Sequence, residues 1–359
     1  MQLLITCVFV LGFVSPCLSL RWNAGTKNIY NVMEYGANGD GKSDDSQAFL
    51  RAWNNACGAK GASTLLIPQE KLFMVTNILL KGTCKATSIL IMISNVNSLT
   101  MDGGGSIDGN GSEWWQCISC SRPRLLGFHA CNDLTVSNLT ITDSPCGHIT
   151  INSCEGARFS DLNIHAPPHS PNTDGIDISA SKNILIEDST IGTGDDCIAI
   201  NSGCSYIYAA RVACGPGHGI SIGSLGRNEA HETVEEVYVR NCSFNETQNG
   251  ARIKTCQGGS GYARKITFEQ ITLIRVHHPI LIDQHYPTQH PTVTYRGFEG
   301  TSANDNAINL NCSPLGCFNI VLDQIDIVSS KPGKKTYASC KNAHGIVGST
   351  TPSVHCLSE

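Results

Sequence analysis

The sequence predicts an all-β fold: a parallel β-solenoid closed at its N-terminal end by one amphipathic helix. Three observations carry this. About nineteen short apolar runs, rich in Ile, Val and Leu, follow one another with Asn, Asp, Ser and Gly in the gaps. No long helical pattern interrupts them, so they read as strands joined by tight turns. A polar group then recurs at a fixed period, since Asp174 to Asp196 is 22 residues and Asp196 to His218 is 22 again. Each stands just ahead of a short β-branched run (Ile176-Asp177-Ile178, Ile198-Ala199-Ile200, Ile220-Ser221-Ile222), the mark of stacked coils rather than separate loops. Finally, only 15% of the 359 residues are charged and 35 are Gly, a composition for many short strands and against a helical or disordered chain.

Residues 1–19 read as a secretory signal: a short apolar core around Leu3-Leu4-Ile5 and Val8-Phe9-Val10-Leu11, ending in small residues at Cys17 and Ser19. That core is too short to span a membrane comfortably, although the usual basic start is missing. Residues 20–359 form one β-helix domain, because solenoids lengthen without splitting. Asn28 to Met33 reads as a first strand and Gly36 to Lys42 as a Gly-rich turn. Asp44 is placed as a helix N-cap. Ala48, Phe49, Ala52, Trp53, Ala56 and Cys57 fall on one helical face, and Gly58 ends the run. Such a helix would cover the open first coil. Strands then recur from Thr64–Ile67 to Ile320–Leu322. The Lys-, Ser- and Gly-rich tail from Ser329 lacks the period and is expected to be an irregular cap.

The chain has 18 cysteines, and Cys7 and Cys17 lie in the signal, which leaves 16 for an oxidising compartment. Cys312 with Cys317, Cys340 with Cys356, Cys197 with Cys214 and Cys57 with Cys84 are spaced for disulfides. Cys117 and Cys120 form a lone C-x-x-C, which reads as a disulfide or free thiols before it reads as a metal site. Asn110, Asn138, Asn241, Asn245 and Asn311 begin glycosylation sequons. A net charge of −5 argues against a nucleic-acid partner, and nothing after the signal suggests a membrane.

If each period is one coil, equivalent positions lie about 4.8 Å apart, and Asp174, Asp196 and His218 share one column with Asp195 beside it. Arg252 follows His218 by 34 residues, so a longer coil intervenes. Arg252 and Lys254 are two apart and point to one face. Carboxylates crowded in this way cannot all ionise freely; one is pushed to hold a proton beside ionised partners. That is what glycoside hydrolysis requires, one acid for the leaving oxygen and one carboxylate for water. A guanidinium and an ammonium suit an anionic substrate. Taken singly, Asp174-Gly175 is a common turn, Asp195-Asp196 a possible cap or calcium ligand, His218 a structural imidazole and Arg252-x-Lys254 a solvated face. Their joint recurrence at one period favours a site.

In order, Asn172-Thr-Asp-Gly175, Gly194-Asp-Asp-Cys197, Cys214-Gly-Pro-Gly-His-Gly219 and Arg252-Ile-Lys254 resemble the plant polygalacturonases of glycoside hydrolase family 28. Tyr35-Gly-Ala-Asn-Gly-Asp-Gly-Lys-Ser-Asp-Asp45, Ile107-Asp-Gly-Asn-Gly111 with Trp114-Trp115, and Ser170 to Asp177 extend the resemblance over nearly all of the mature chain. It implies a right-handed single-stranded parallel β-helix and inverting hydrolysis of α-1,4-galacturonosyl linkages in pectin. It implies Asp195 as general acid, Asp174 and Asp196 as the pair holding the attacking water, and His218 as assistant to the acid. Asn172, Arg252, Lys254 and Tyr286 would contact substrate. No metal or organic cofactor is implied, and a secreted, cell-wall monomer acting on homogalacturonan is expected. Gln257-Gly-Gly-Ser-Gly261 resembles the endo-acting plant clade.

The chain departs from that pattern at Cys256, where Trp is usual, and at Pro287, where Cys is common. It is short between Ile93 and Ser94 and between Tyr286 and Val293. The shortened stretches keep open a pectin-binding β-helix that has lost turnover; a calcium-dependent pectate lyase would use a similar scaffold, but the His218 and Arg252/Lys254 pattern fits a hydrolase better.

Overall fold

The computed structural model describes residues 28–358 apart from 69–70, 75–84, 103, 118–120 and 285–291. Two long parallel sheets wind through it. One has twelve strands, from Ile29–Asn31 to Tyr337–Lys341, and the other has seventeen. Strands of each sheet pair with the coil before and the coil after, so this is a parallel β-helix.

The period seen in the sequence is the stacking register. Ile149, Ile176, Ile198, Ile220, Ala251, Ile280 and Ile308 pair in succession along the twelve-stranded sheet and are fully buried. The opposite wall supplies Phe159, Ile186, Ala209, Val239, Phe268, Tyr295 and Leu322 in register. Phe268 and Tyr295 stack with ring centroids 5.8 Å apart. Each large apolar side chain so buried contributes about 1.5–3 kcal/mol. The Asn and Asp punctuation also has a cause. Asn138, Asp161, Asp188, Arg211, Asn241 and Gln270 take positive φ at one corner of successive coils, a conformation that Asn and Asp tolerate better than other side chains.

The capping helix α1 (Ser46–Gly58) buries Ala48, Phe49, Ala52, Ala56 and Cys57, with Trp53 packed at the margin. Its cap differs from expectation. Asp45 is the N-cap by backbone geometry; its carboxylate is drawn away to the N–H groups of Asn38 and Gly39. Asp44 accepts the Ser46 N–H instead, at 2.9 Å. The first strand is shorter than predicted, Ile29–Asn31, because Val32–Tyr35 turns into a 3-10 helix closed by Gly36 at φ 91°. The Gly-rich turn runs into a strand, Asp40–Asp44, that pairs with Leu72–Met74.

The tail from Ser329 is not irregular. Tyr337–Lys341 joins the twelve-stranded sheet, and Ala343–Val347 and Thr350–Thr351 join the other. Backbone groups of the preceding coil template these strands, so they need little apolar periodicity of their own. Pairing continues through the first shortened stretch and resumes beyond the second. Ile93 pairs with Ile67 on one side and Phe128 on the other. Beyond residues 285–291, Val293 pairs with Ile266 and Ile320. Disulfides Cys197–Cys214, Cys312–Cys317 and Cys340–Cys356 form as expected. Cys57 and Cys117 are also disulfide-bonded, while Cys84 and Cys120 lie outside the described residues. A disulfide at Cys117 removes the thiolate that a metal site there would need.

Candidate active site

Asp174, Asp196 and His218 each stand two residues ahead of a strand of the twelve-stranded sheet, and those strands pair Ile176 to Ile198 to Ile220. The predicted column is therefore real. Ladder bonds fix it: the Gly175 N–H donates to Asp196 O at 2.9 Å, and the Cys197 N–H to Gly219 O at 2.8 Å. Ser221 pairs with Arg252 on the next coil, although 31 residues separate them. The extra length is spent on a 3-10 turn at Arg227–Glu229 and the ten-residue strand His231–Arg240. Arg252 and Lys254 then reach back to the acids.

Asp196 is locked. Its Oδ1 accepts from Ser221 Oγ at 2.8 Å and Arg252 Nη2 at 2.7 Å, and its Oδ2 accepts from Lys254 Nζ at 2.9 Å. Only 2% of its side chain is exposed. Burial by itself would raise its pKa, but Lys254 and Arg252 outweigh that and hold the carboxyl down to about 2. Asp195 is half-buried, 18% exposed beside His218 at 33%, and Asp174 falls in the same intermediate range. Its Oδ1 lies 2.9 Å from His218 Nδ1 and accepts the Asp196 N–H at 2.9 Å. Its Oδ2 accepts from Asn172 Nδ2 at 3.2 Å. Asp174 is pushed well above the carboxylate range, first by burial and then by the negative charges of Asp177, Asp195 and Asp196. Asp177 is raised by burial too, with Arg124 opposing from 3.7 Å.

The column thus unites Asn172, Asp174, Asp195, Asp196, His218, Arg252 and Lys254. Tyr286 lies outside the described residues. Sequence reading missed five neighbours: Arg122, Arg124, His148, Asp177 and Ser221. Asp177 and Ser221 had a signal, as the outward members of the alternating Ile-x-Ile strands. Arg122-Pro-Arg124 offered only an i, i+2 cation pair. His148 looked like any core histidine. It is fully buried under Asp174, with Nδ1 2.9 Å from the Asp174 carbonyl oxygen and Nε2 accepting the Ser144 N–H at 3.3 Å. Burial pushes its pKa down to about 4, so the ring is neutral and props the Asp174 backbone.

Donor atoms of Asp195, Asp196 and His218 lie within 4.8 Å of one another. The set suits a cation poorly, because Arg252 and Lys254 already neutralise Asp196.

The opposed shifts predict a distinctive pH dependence. Asp196, depressed when folded, stabilises above the ordinary carboxylate range and loses that stabilisation as pH falls toward about 2. Asp174, raised when folded, favours the fold below the ordinary range and loses that contribution as pH rises through its folded pKa. Asp174→Asn removes the second effect. Its melting temperature should exceed the wild type at neutral pH, by the equivalent of roughly 0.5–2 kcal/mol, and the two should converge near pH 4. Thermal melts between pH 4 and pH 8 check this; parallel curves would contradict it.

Residues 57–354 match the model of the glycosyl hydrolases of family 28. The chain is 42% identical to a probable polygalacturonase of Arabidopsis thaliana, over 92% of this chain and 81% of that relative. It is 41% identical to a polygalacturonase of Chamaecyparis obtusa, over 91% of this chain and 71% of the other. Among solved structures, an endo-xylogalacturonan hydrolase from Aspergillus tubingensis superposes with a TM-score of 0.64 at 23% identity, covering 90% of this chain and 99% of its own. An exopolygalacturonase from Thermotoga maritima gives 0.60 at 19% identity, over 91% and 93%. These two share the fold.

Proposed function

Since the chain belongs to family 28 of the glycosyl hydrolases, we propose that it is a secreted polygalacturonase that cuts α-1,4-galacturonosyl linkages of pectin internally and with inversion. The observation that supports this reading is the division among its acids: one half-buried carboxyl held between His218 and the Asn172 amide, one half-buried carboxyl with raised proton affinity, and one enclosed carboxylate locked between two cations.

Those states assign roles. Asp195 reaches the groove and donates its proton to the glycosidic oxygen as the C–O bond breaks. When the proton sits on Asp195, its repulsion of Asp174 lapses, and Asp174 becomes the carboxylate that takes a proton from the attacking water. The water oxygen bonds to the anomeric carbon, and the proton gained by Asp174 resets Asp195. His218 orients Asp195 through Oδ1. Asp196 is a poor nucleophile, because both its oxygens are engaged; it holds the water and anchors Arg252 and Lys254. Those cations keep donors for a uronate carboxylate. The oxygens of Asp195 and Asp196 are closer than the roughly 6.5–9.5 Å common among inverting glycosidases. Inversion therefore rests on Asp174 as the partner acid and on the family, not on that separation.

Pairing through Ile93 and again from Val293 supports an active enzyme over one that only binds pectin. Chromatography of products from purified polygalacturonate tests the reading. Release of mixed saturated oligomers is expected, with the β-anomer first by NMR. Only monomer would overturn endo action, unsaturated products would make it a lyase, and affinity without products would leave a binding protein.

A further inference from the structure

Arg122 is a charged side chain where burial is costly, at 7% exposure, and among the described residues no carboxylate is in direct contact with it. Its Nη1 donates to the carbonyl oxygens of Pro145, at 3.1 Å, and Pro171. Its Nη2 donates to Asn172 Oδ1 at 2.5 Å. Burial lowers its pKa, and the charge of Asp195 works against that. A buried guanidinium with only carbonyl partners is expensive to keep, so its placement calls for a reason.

The chemistry of an amide supplies one. A guanidinium only donates, so it can face only the oxygen end of Asn172. The nitrogen end must then face Asp195, where Nδ2 donates to Oδ2 at 3.2 Å. We propose that Arg122 is a positioning residue for the general acid: it fixes the orientation of the Asn172 amide, so that Asp195 Oδ2 always meets an N–H donor. That donor strengthens as Asp195 gives up its proton and gains charge. The guanidinium polarises the amide from its far end, and hydrogen bonds in such a chain reinforce one another. One N–H and one lone pair of the Asn172 amide are held within the protein; the second N–H and second lone pair leave room for a sugar contact as well. Pro145 and Pro171 carbonyls pin the guanidinium to two neighbouring coils, which ties the amide to the stack. This rests on the reading of Asp195 as general acid.

The experiment is a double-mutant cycle on polygalacturonate with a structural readout beside it. Arg122→Gln should lower kcat by about 10–100-fold with KM within about twofold, since the interaction matters mainly in the transition state. Asn172→Ala should cost a similar factor. The pair should cost little more than either alone, because both variants break one chain. Arg122→Lys, which keeps the charge and a donor, should recover part of kcat. A merely structural arginine would give multiplying losses, and that result overturns the proposal. Crystal structures of Arg122→Gln give a readout free of activity. The Asn172 amide should leave Asp195 Oδ2 or turn over, and an amide held in place without Arg122 also overturns it. An inactive wild type would strike the hydrolase reading, while the crystal structure would still decide whether Arg122 sets the amide.

Discussion

Asp195→Asn should abolish release of reducing ends from polygalacturonate, with kcat down by about 10³-fold or more, while the fold and substrate affinity survive. General acid catalysis commonly contributes about 10²–10⁴-fold, and Asp195 is the group proposed to protonate the leaving oxygen. Asp196 is ionised and enclosed, and the proposed mechanism gives Asp174 to the water. The amide is nearly isosteric. It can still face His218 Nδ1 and the Asp196 N–H, which lie 2.9 Å from the acid's Oδ1, so the ladder should stay intact. Circular dichroism and binding of oligogalacturonate check the fold, and a reducing-sugar assay checks turnover. Activity within tenfold of the wild type would remove Asp195 from the acid's role and pass it to Asp174.

Gly175→Ala should damage both stability and activity, even though it adds a single methyl group. An Asp-Gly pair usually signals a turn that needs positive φ. Gly175 is absent from the positive-φ glycines of this chain, so its freedom of conformation is not what matters. Space is. A Cβ at 175 would stand 2.3 Å from Ile191 Cγ2 and 2.6 Å from the Cys197 carbonyl oxygen. The methyl must push apart the two coils that carry Asp174 and Asp196. Overpacking of this kind costs about 1–3 kcal/mol, occasionally more. The same displacement strains the bond from the Gly175 N–H to Asp196 O, so kcat should fall by at least tenfold. A denaturant melt and kinetics on the soluble protein test both parts. An unchanged midpoint with unchanged kcat would mean that the coils separate without cost.

These two positions show what could be read from sequence. The repeat of 22 residues was enough to place Asp174, Asp196 and His218 in one column, because a solenoid converts spacing directly into contact. The Arg252-x-Lys254 pair was placed on the right face by strand alternation alone. Roles within the column were harder. Nothing in the sequence separates the locked Asp196 from the half-buried Asp195 beside it; that difference arises because Arg252 and Lys254 come from a coil 56 and 58 residues away. Arg122 was invisible for a similar reason, since its partners are carbonyls and an amide rather than an opposite charge. The N-cap was misread by one residue, because Asp45 is claimed by the loop before the helix. The tail was misread because a strand added to an existing edge needs less apolar pattern than one that must find its own partner.

That last point has a practical side. The groups assigned to chemistry run from Arg122 to Lys254, whereas the final strands of both sheets come after Ser329. Trimming the chain at Ser329 would spare every catalytic group, yet it would uncover two rows of unpaired amides on the coil that Tyr337–Lys341 and Ala343–Val347 now shield. Such a shortened form should keep its specific activity per soluble molecule and fail instead by self-association through the one open end, since α1 still covers the other.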